Sequence, residues 1–227
     1  LQPEFEKDSG YKLEITSAGT GAAIKKGETG DADILLVHSK SAEEAFIGQG
    51  FDETRIPFMY NFFVIVGPAD DPAGVKGSAT AAEAFKKIAE SQSTFVTRGD
   101  ESGTNNAELK IWKEASLAPD PATDTWYKNI GAGMGQALNT ANELKAYTLS
   151  DKATFLANKG ELDMLLENVP DMQNTYSMIA ISAIRFPETN VAGADAFIKW
   201  IQTEKAKELI AKFGVDQYGQ PLFFNLD

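Results

Sequence analysis

Two strongly apolar segments, far apart in the chain, constrain its fold more than any other feature. Residues 60–66 (YNFFVIV) and 176–181 (YSMIAI) have the composition of buried strands. They bracket a middle block of about 110 residues, close to the size of a small domain. We therefore predict two lobes, 1–63 with 181–227 and 64–180, joined by two strand crossings. A single α/β domain with an irregular insertion is the alternative.

The remaining pattern alternates short apolar runs with helical periodicity, which indicates an α/β fold with crossover connections. The predicted strands cover 11–16, 33–37, 93–97 and 146–149. The predicted helices cover 19–27, 42–49, 81–90, 105–115, 133–144 and 192–213. Residues 126–130 (WYKNI) have a poor pattern for a buried strand.

Composition excludes several classes of function. The chain has 33 acidic and 21 basic residues and a net charge of -12, which argues against a nucleic acid or an anionic membrane as partner. No apolar stretch predicts membrane insertion, and the first residues do not resemble a signal peptide, so we expect a mature or trimmed chain. The absence of cysteine excludes a disulfide framework, a thiolate metal site and cysteine catalysis.

A loop from Arg98 to Thr104 (RGDESGT) lies between a predicted strand and a predicted helix. Either Ser102 or Thr104 would cap that helix, whose first N–H groups have no intrahelical partner. The positive end of the helix dipole, the backbone of Gly103 and the guanidinium of Arg98 suit an oxyanion. An ordinary capped turn is the alternative.

The sequence lacks motifs that two classes of enzyme require, and we predict that the protein is not an enzyme. The glycines 131, 133 and 135 do not have the dinucleotide-binding spacing, so a helix start explains them better. Ser102 and His38 could supply parts of a hydrolase, but the chain has no Gly-x-Ser-x-Gly elbow. A lone histidine after a buried strand is more often structural than a ligand.

Several blocks occur together in a recognisable order. They are 31–38 (DADILLVH), 59–61 (MYN) with 64–68 (VIVGP) and 70–74 (DDPAG), 98–104, 126–127 (WY), 131–135 (GAGMG), and 146–149 (AYTL) with Asp151 and Thr154. Together they resemble the extracytoplasmic tungstate-binding proteins of ABC transporters. The resemblance implies a type II periplasmic-binding-protein fold, in which a cleft between two α/β lobes holds a tetrahedral oxyanion for a membrane permease. It also implies a monomer, no cofactor, and no metal site other than tungsten within its oxyanion.

The resemblance also implies roles for individual residues. Arg98 becomes the charged ligand and Thr104 a hydroxyl donor, with Ser102 and the Gly103 N–H beside them. Further candidates are Thr148 in the same lobe, and Thr20, Gly21 and Ser39 in the other lobe. Thr148 could instead be a strand residue facing solvent, and Tyr147 reads as a core aromatic with a hydrogen-bonded hydroxyl.

Three features depart from the family pattern. The chain begins inside the expected first helix, without the preceding strand and threonine-rich loop. Phe62 stands where an acidic residue is usual, and Asn105 stands where histidine is usual. Two alternatives follow: a diverged or truncated module with an incomplete site that serves sensing or interaction, or a protein that binds molybdate or sulfate.

Overall fold

The computed structural model describes residues 1–50 and 53–226, and the chain divides into two compact units. Unit 1 comprises Leu1–Tyr60 and Thr175–Asp227, and unit 2 comprises Asn61–Asn174. The boundaries predicted from the sequence lie at 63/64 and 180/181. Both units are mixed α/β, as predicted.

The elements follow one another in mixed order along the chain. The helices in the described ranges are α1 (Gln2–Ser9), α2 (Thr20–Thr29), α3 (Lys40–Ile47), α4 (Ala81–Glu90), α5 (Gly103–Glu114), α6 (Met134–Leu144), α7 (Lys152–Ala157), α8 (Val191–Ile201), α9 (Glu204–Lys212) and α10 (Val215–Tyr218), with a 3-10 turn at Pro170–Met172. The strands are β1 (Ile34–Val37), β2 (Arg55–Gly67), β3 (Phe95–Thr97), β4 (Tyr127–Asn129), β5 (Thr148–Asp151), β6 (Asp163–Leu166), β7 (Gln173–Ala180) and β8 (Phe224–Asn225). The chain passes from unit 1 to unit 2 within β2 and returns within β7.

Unit 1 packs its helices on antiparallel strands. β1 pairs with β7, with Ile34 opposite Ala180, and β8 pairs with the first half of β2. The core includes Phe5, whose ring lies edge-on to Phe197 at 5.1 Å between centroids.

In unit 2, two strand arrangements position the predicted anion loop. The second half of β2 pairs antiparallel with β5 and β6, whereas β3 pairs in parallel with β4. Because β3 and β4 are parallel, the loops that follow them leave from the same edge. Beneath β3 lies a buried aromatic cluster in which Phe85 and Trp112 are 4.2 Å apart between ring centroids.

Three predicted elements were wrong. Residues 11–16 form no strand, because the backbone of Leu13 bonds to side chains of α1: its N–H donates to Glu6 and its carbonyl accepts from Gln2. The helix predicted over 192–213 divides into α8 and α9, since Thr203 caps a new helix by accepting from the Ala206 N–H.

The third error concerns residues 126–130. Their pattern did not predict a buried strand, but residues 127–129 form strand β4. Only Tyr127 of this strand is buried, so the hydrophobic pattern is too short to detect. Its backbone pairing with β3 makes it a strand.

No helix in the described residues has the length and apolar character needed to cross a bilayer.

Candidate anion-binding site

The predicted loop joins β3 to α5 through two residues with left-handed backbone. Gly99 has φ 58° and Glu101 has φ 57°. The left-handed conformation favours glycine at position 99, and a Cβ there would lie 2.0 Å from Oδ1 of Asn129, so a larger residue would displace that side chain. The loop is therefore held closely against the end of β4.

The first turn of α5 keeps two backbone donors open. Ser102 is the N-cap residue, and its hydroxyl oxygen accepts from the Asn105 N–H at 3.3 Å. Within residues 1–50 and 53–226, the N–H groups of Gly103 and Thr104 donate to no protein acceptor, and the Thr104 hydroxyl makes no hydrogen bond. Together with the positive end of the helix dipole, these groups favour a bound anion.

Arg98 is oriented by a carboxylate two residues further on. Its Nη2 and Nε lie 2.5 and 3.1 Å from Oδ2 of Asp100, and its side chain is only 15% exposed. Burial works against ionisation of Asp100, but hydrogen bonds from Ser102 and the Arg98 guanidinium outweigh it, so the pKa of Asp100 lies below its usual value. The guanidinium has five N–H donors, so this pairing leaves others for a ligand. This role of Asp100 was not predicted, although its position in the loop was a usable signal.

A second helix start lies beside this loop. The Ala132 N–H donates to the carbonyl of Arg98 at 3.1 Å, and the Gly131 N–H donates to the side chain of Asn129 at 3.0 Å. Gly133 is the N-cap of α6 and has no side chain with which to cap it. The glycines 131, 133 and 135 thus belong to a helix start, as the sequence predicted.

Thr148 is the first residue of β5, and its hydroxyl proton is already engaged. The residue is 1% exposed, and its hydroxyl donates to the carbonyl of Val96 at 2.8 Å. The alternative that it faces solvent is wrong. Tyr147 is confirmed as a core aromatic, since its hydroxyl accepts from the Ala73 N–H and donates to Asp71, both at 2.9 Å.

In unit 1, the predicted residues lie at two helix starts. Thr20 is the first residue of α2 and is 6% exposed, and its hydroxyl has no hydrogen-bond partner in the described part of the chain. Gly21 follows it and is exposed. Ser39 is the N-cap of α3, although its side chain makes no capping bond. The adjacent His38 packs on Tyr176, with 4.9 Å between ring centroids.

The arrangement in unit 2 can bind an anion through donors alone. The available groups are the Arg98 guanidinium, two backbone N–H groups and the Thr104 hydroxyl, and the nearby carboxylate of Asp100 is engaged by Arg98. Within the described ranges, no three histidine, aspartate or glutamate side chains form a group that could hold a metal ion. These groups are therefore suited to recognise an oxyanion.

Comparisons with known proteins identify relatives of the whole chain. A family model described as a PBP superfamily domain matches residues 1–205. The chain is 41% identical to the tungstate-binding protein TupA of Peptoclostridium acidaminophilum over 227 residues, which covers 98% of this chain and 78% of that relative. It is 39% identical to the structure of the tungstate-binding protein TupA from Desulfovibrio alaskensis G20, with a TM-score of 0.90 over 99% of this chain and 91% of that one. The structure of the tungstate ABC transporter from Geobacter sulfurreducens is 39% identical, with a TM-score of 0.81 over 93% and 90% of the two chains.

Proposed function

Because this chain belongs to the PBP superfamily and, within it, to the family of tungstate-binding proteins, we propose that it captures a tetrahedral oxyanion, tungstate above all, for an ABC importer. It does so outside the cytoplasm as a monomer and hands the anion to a membrane permease. It is a binding protein and catalyses no reaction. Molybdate and sulfate have the same shape and charge, and they compete for the same site.

The open first turn of α5 is the single observation that carries this proposal. Two N–H groups, of Gly103 and Thr104, and the Thr104 hydroxyl point to a ligand that accepts hydrogen bonds and donates none. A fully deprotonated tetrahedral dianion offers acceptors only. The guanidinium of Arg98 adds a fixed positive charge, which strengthens the hydrogen bonds to such a ligand.

The remaining candidates complete the proposed ligand set. Ser102 contributes mainly by capping α5, since its hydroxyl accepts from the Asn105 N–H. Thr148 joins the site by turning its hydroxyl away from Val96. Thr20, Gly21 and Ser39 stay predicted ligands in unit 1. The hydroxyl of Thr20 is buried and has no hydrogen-bond partner among the described residues, which supports its part.

A titration with tungstate, molybdate, sulfate and phosphate at fixed ionic strength tests the proposal. Thermal unfolding and calorimetry on the same samples give stability and affinity. An intact site stabilises the fold by about 2.7 kcal/mol at a ligand concentration 100 times the dissociation constant. Hydrogen phosphate should bind most weakly, because its proton meets donors only. No stabilisation by any of the four anions would refute the proposal and favour a sensing or interaction module with an incomplete site.

A further inference from the structure

A buried carboxylate lies directly beneath the anion loop. Glu108 is 2% exposed, and its Oε2 accepts from the Thr97 hydroxyl at 2.7 Å. Its Oε1 accepts from the Trp112 indole at 3.0 Å and from the Tyr127 hydroxyl at 2.7 Å. Burial raises the pKa of Glu108, and these hydrogen bonds only partly offset the effect. In the described part of the chain, no lysine or arginine forms an ion pair with it.

From this carboxylate a continuous run of hydrogen bonds leads up to the loop. The oxygen of Thr97 accepts from Nδ2 of Asn105 at 3.2 Å, and Oδ1 of Asn105 accepts from the Glu101 N–H at 3.2 Å. Asn105 is 4% exposed, so water does not readily replace these bonds. Glu101 has the left-handed conformation that non-glycine residues seldom adopt, and such a conformation persists only when its surroundings hold it.

The direction of each bond in this run depends on the carboxylate. An ionised carboxylate only accepts, so Thr97 must give its single hydroxyl proton to Glu108. Its oxygen is then left to accept the amide of Asn105, which turns the Asn105 carbonyl toward the Glu101 N–H. A donor in place of Oε2 would leave the Thr97 hydroxyl proton without its acceptor. The other member of the run within reach is Asn105, which would have to turn its carbonyl oxygen to Thr97 and set its NH2 group against the Glu101 N–H.

We infer that Glu108 is a positioning residue for oxyanion binding, which acts through Thr97 and Asn105 to hold Glu101 and its loop in the binding conformation. The inference rests on the proposed function of this same loop. It also assigns Asn105 a positioning role, because both polar atoms of its side chain are engaged within the run and neither is left for a ligand.

Glu108→Gln tests the inference with an isosteric change. Oε1 keeps its bonds to Trp112 and Tyr127, while Nε2 replaces the one oxygen that faces Thr97. The loop then relieves the clash at Glu101 by leaving the binding conformation. The affinity for tungstate falls in proportion to the fraction of molecules whose loop keeps that conformation. We expect tungstate to bind about tenfold more weakly by calorimetry. Loss of a negative charge alone would tighten the binding of a dianion, so the sign of the change separates the two effects.

Matched variants keep the test specific. Glu114→Gln makes the same charge change at an exposed position of α5, where the carboxylate pairs with Lys110, and it should bind tungstate as the wild type does. Thr97→Val removes the hydroxyl without a change of charge and should weaken binding as Glu108→Gln does. Thr97→Ser keeps the hydroxyl and should restore most of the affinity. Circular dichroism establishes that each variant is folded.

The pH dependence of tungstate affinity separates this role of Glu108 from a role in packing alone. Protonated Glu108 resembles glutamine, so wild-type affinity should fall toward that of Glu108→Gln as pH falls through the raised pKa of Glu108. Asp100, whose pKa is lowered, stays ionised, and Tyr127, whose pKa is raised by burial and by the Glu108 charge, stays neutral. Protonation of the anion itself affects both proteins equally.

Three results would overturn the inference while leaving the proposed function intact. They are wild-type or tighter binding by Glu108→Gln, a Thr97→Ser variant as weak as Thr97→Val, and parallel pH profiles. A wild-type protein that binds none of the oxyanions would instead refute the proposed function, and with it the basis of this inference.

Discussion

Two helices of unit 2, α4 and α5, begin with the same capping bond. They differ in the partners of their first two backbone N–H groups. Thr80 caps α4 and Ser102 caps α5, each by accepting from the third helical N–H, at 3.1 and 3.3 Å. In α4, the first two N–H groups, of Ala81 and Ala82, donate to the two carboxylate oxygens of Asp171 at 3.0 and 3.1 Å. In α5, the corresponding groups of Gly103 and Thr104 meet no acceptor in the described residues.

The difference shows what an anion does at such a helix start. Asp171 acts in α4 as a built-in oxyanion, which satisfies both amides and the helix dipole. Among the described residues, no carboxylate takes that place at α5, since Asp100 accepts from Arg98 and from the Ser102 N–H instead. The fold therefore closes one helix start, and the other keeps the two N–H groups that we propose for the ligand.

The largest effect that we expect is on tungstate binding at the start of α5. Arg98→Ala should abolish measurable tungstate binding, because it removes the only full positive charge proposed for the site, and calorimetry measures the loss. The fold should remain intact, since Arg98 forms no part of the hydrophobic core. Lys113→Ala, at an exposed position of α5, makes the same charge change and serves as the control. Wild-type affinity in Arg98→Ala would remove Arg98 from the site.

Thr104→Ala should weaken tungstate binding by about 1.5 to 3 kcal/mol, the range for a hydrogen bond to a charged group. The backbone N–H remains, so binding should persist at a higher dissociation constant in calorimetry. Thr123→Ala, in an exposed turn, is the matched control. An unchanged dissociation constant would mean that the Thr104 hydroxyl does not contact the anion.

Asp171→Ala should lower the free energy of unfolding by about 1 to 3 kcal/mol, because it leaves two amides of α4 without a partner. Urea unfolding measures this loss. Tungstate affinity should stay unchanged, which would separate the closed helix start from the open one. Asp195→Ala, at an exposed position of α8, controls for the lost charge. Equal stability of the two variants would contradict the role assigned to Asp171.

The smallest effects should come from the two caps. Thr80→Ala and Ser102→Ala should each reduce stability by about 1 kcal/mol, a typical cost for a lost N-cap. Only Ser102→Ala should also weaken tungstate binding, since only its helix start holds the proposed ligand. Parallel urea and calorimetric titrations of both variants test the contrast, and weaker binding in Thr80→Ala would break it.

Much of this fold was accessible from the sequence because it depends on local spacing. The predicted helix over 81–90 coincides with α4, and the helix predicted over 133–144 differs from α6 by one residue. Capping residues and apolar periodicity lie within a few positions of each other, so a single segment carries the signal. The errors at 11–16 and at β4 arise where backbone partners come from another segment.

The sequence by itself determined the family, most of the α/β elements and the loop from Arg98 to Thr104 with its cap. Only the tertiary structure decided which polar groups remain free to bind. Asp171 reaches α4 from about 90 positions away, Thr148 donates to Val96, and Glu108 collects donors from three segments. The physical reason is that a donor or acceptor pairs with whichever group the fold brings within about 3 Å. For Asp171 and Thr148 that group comes from a distant part of the sequence, so no local pattern predicts it.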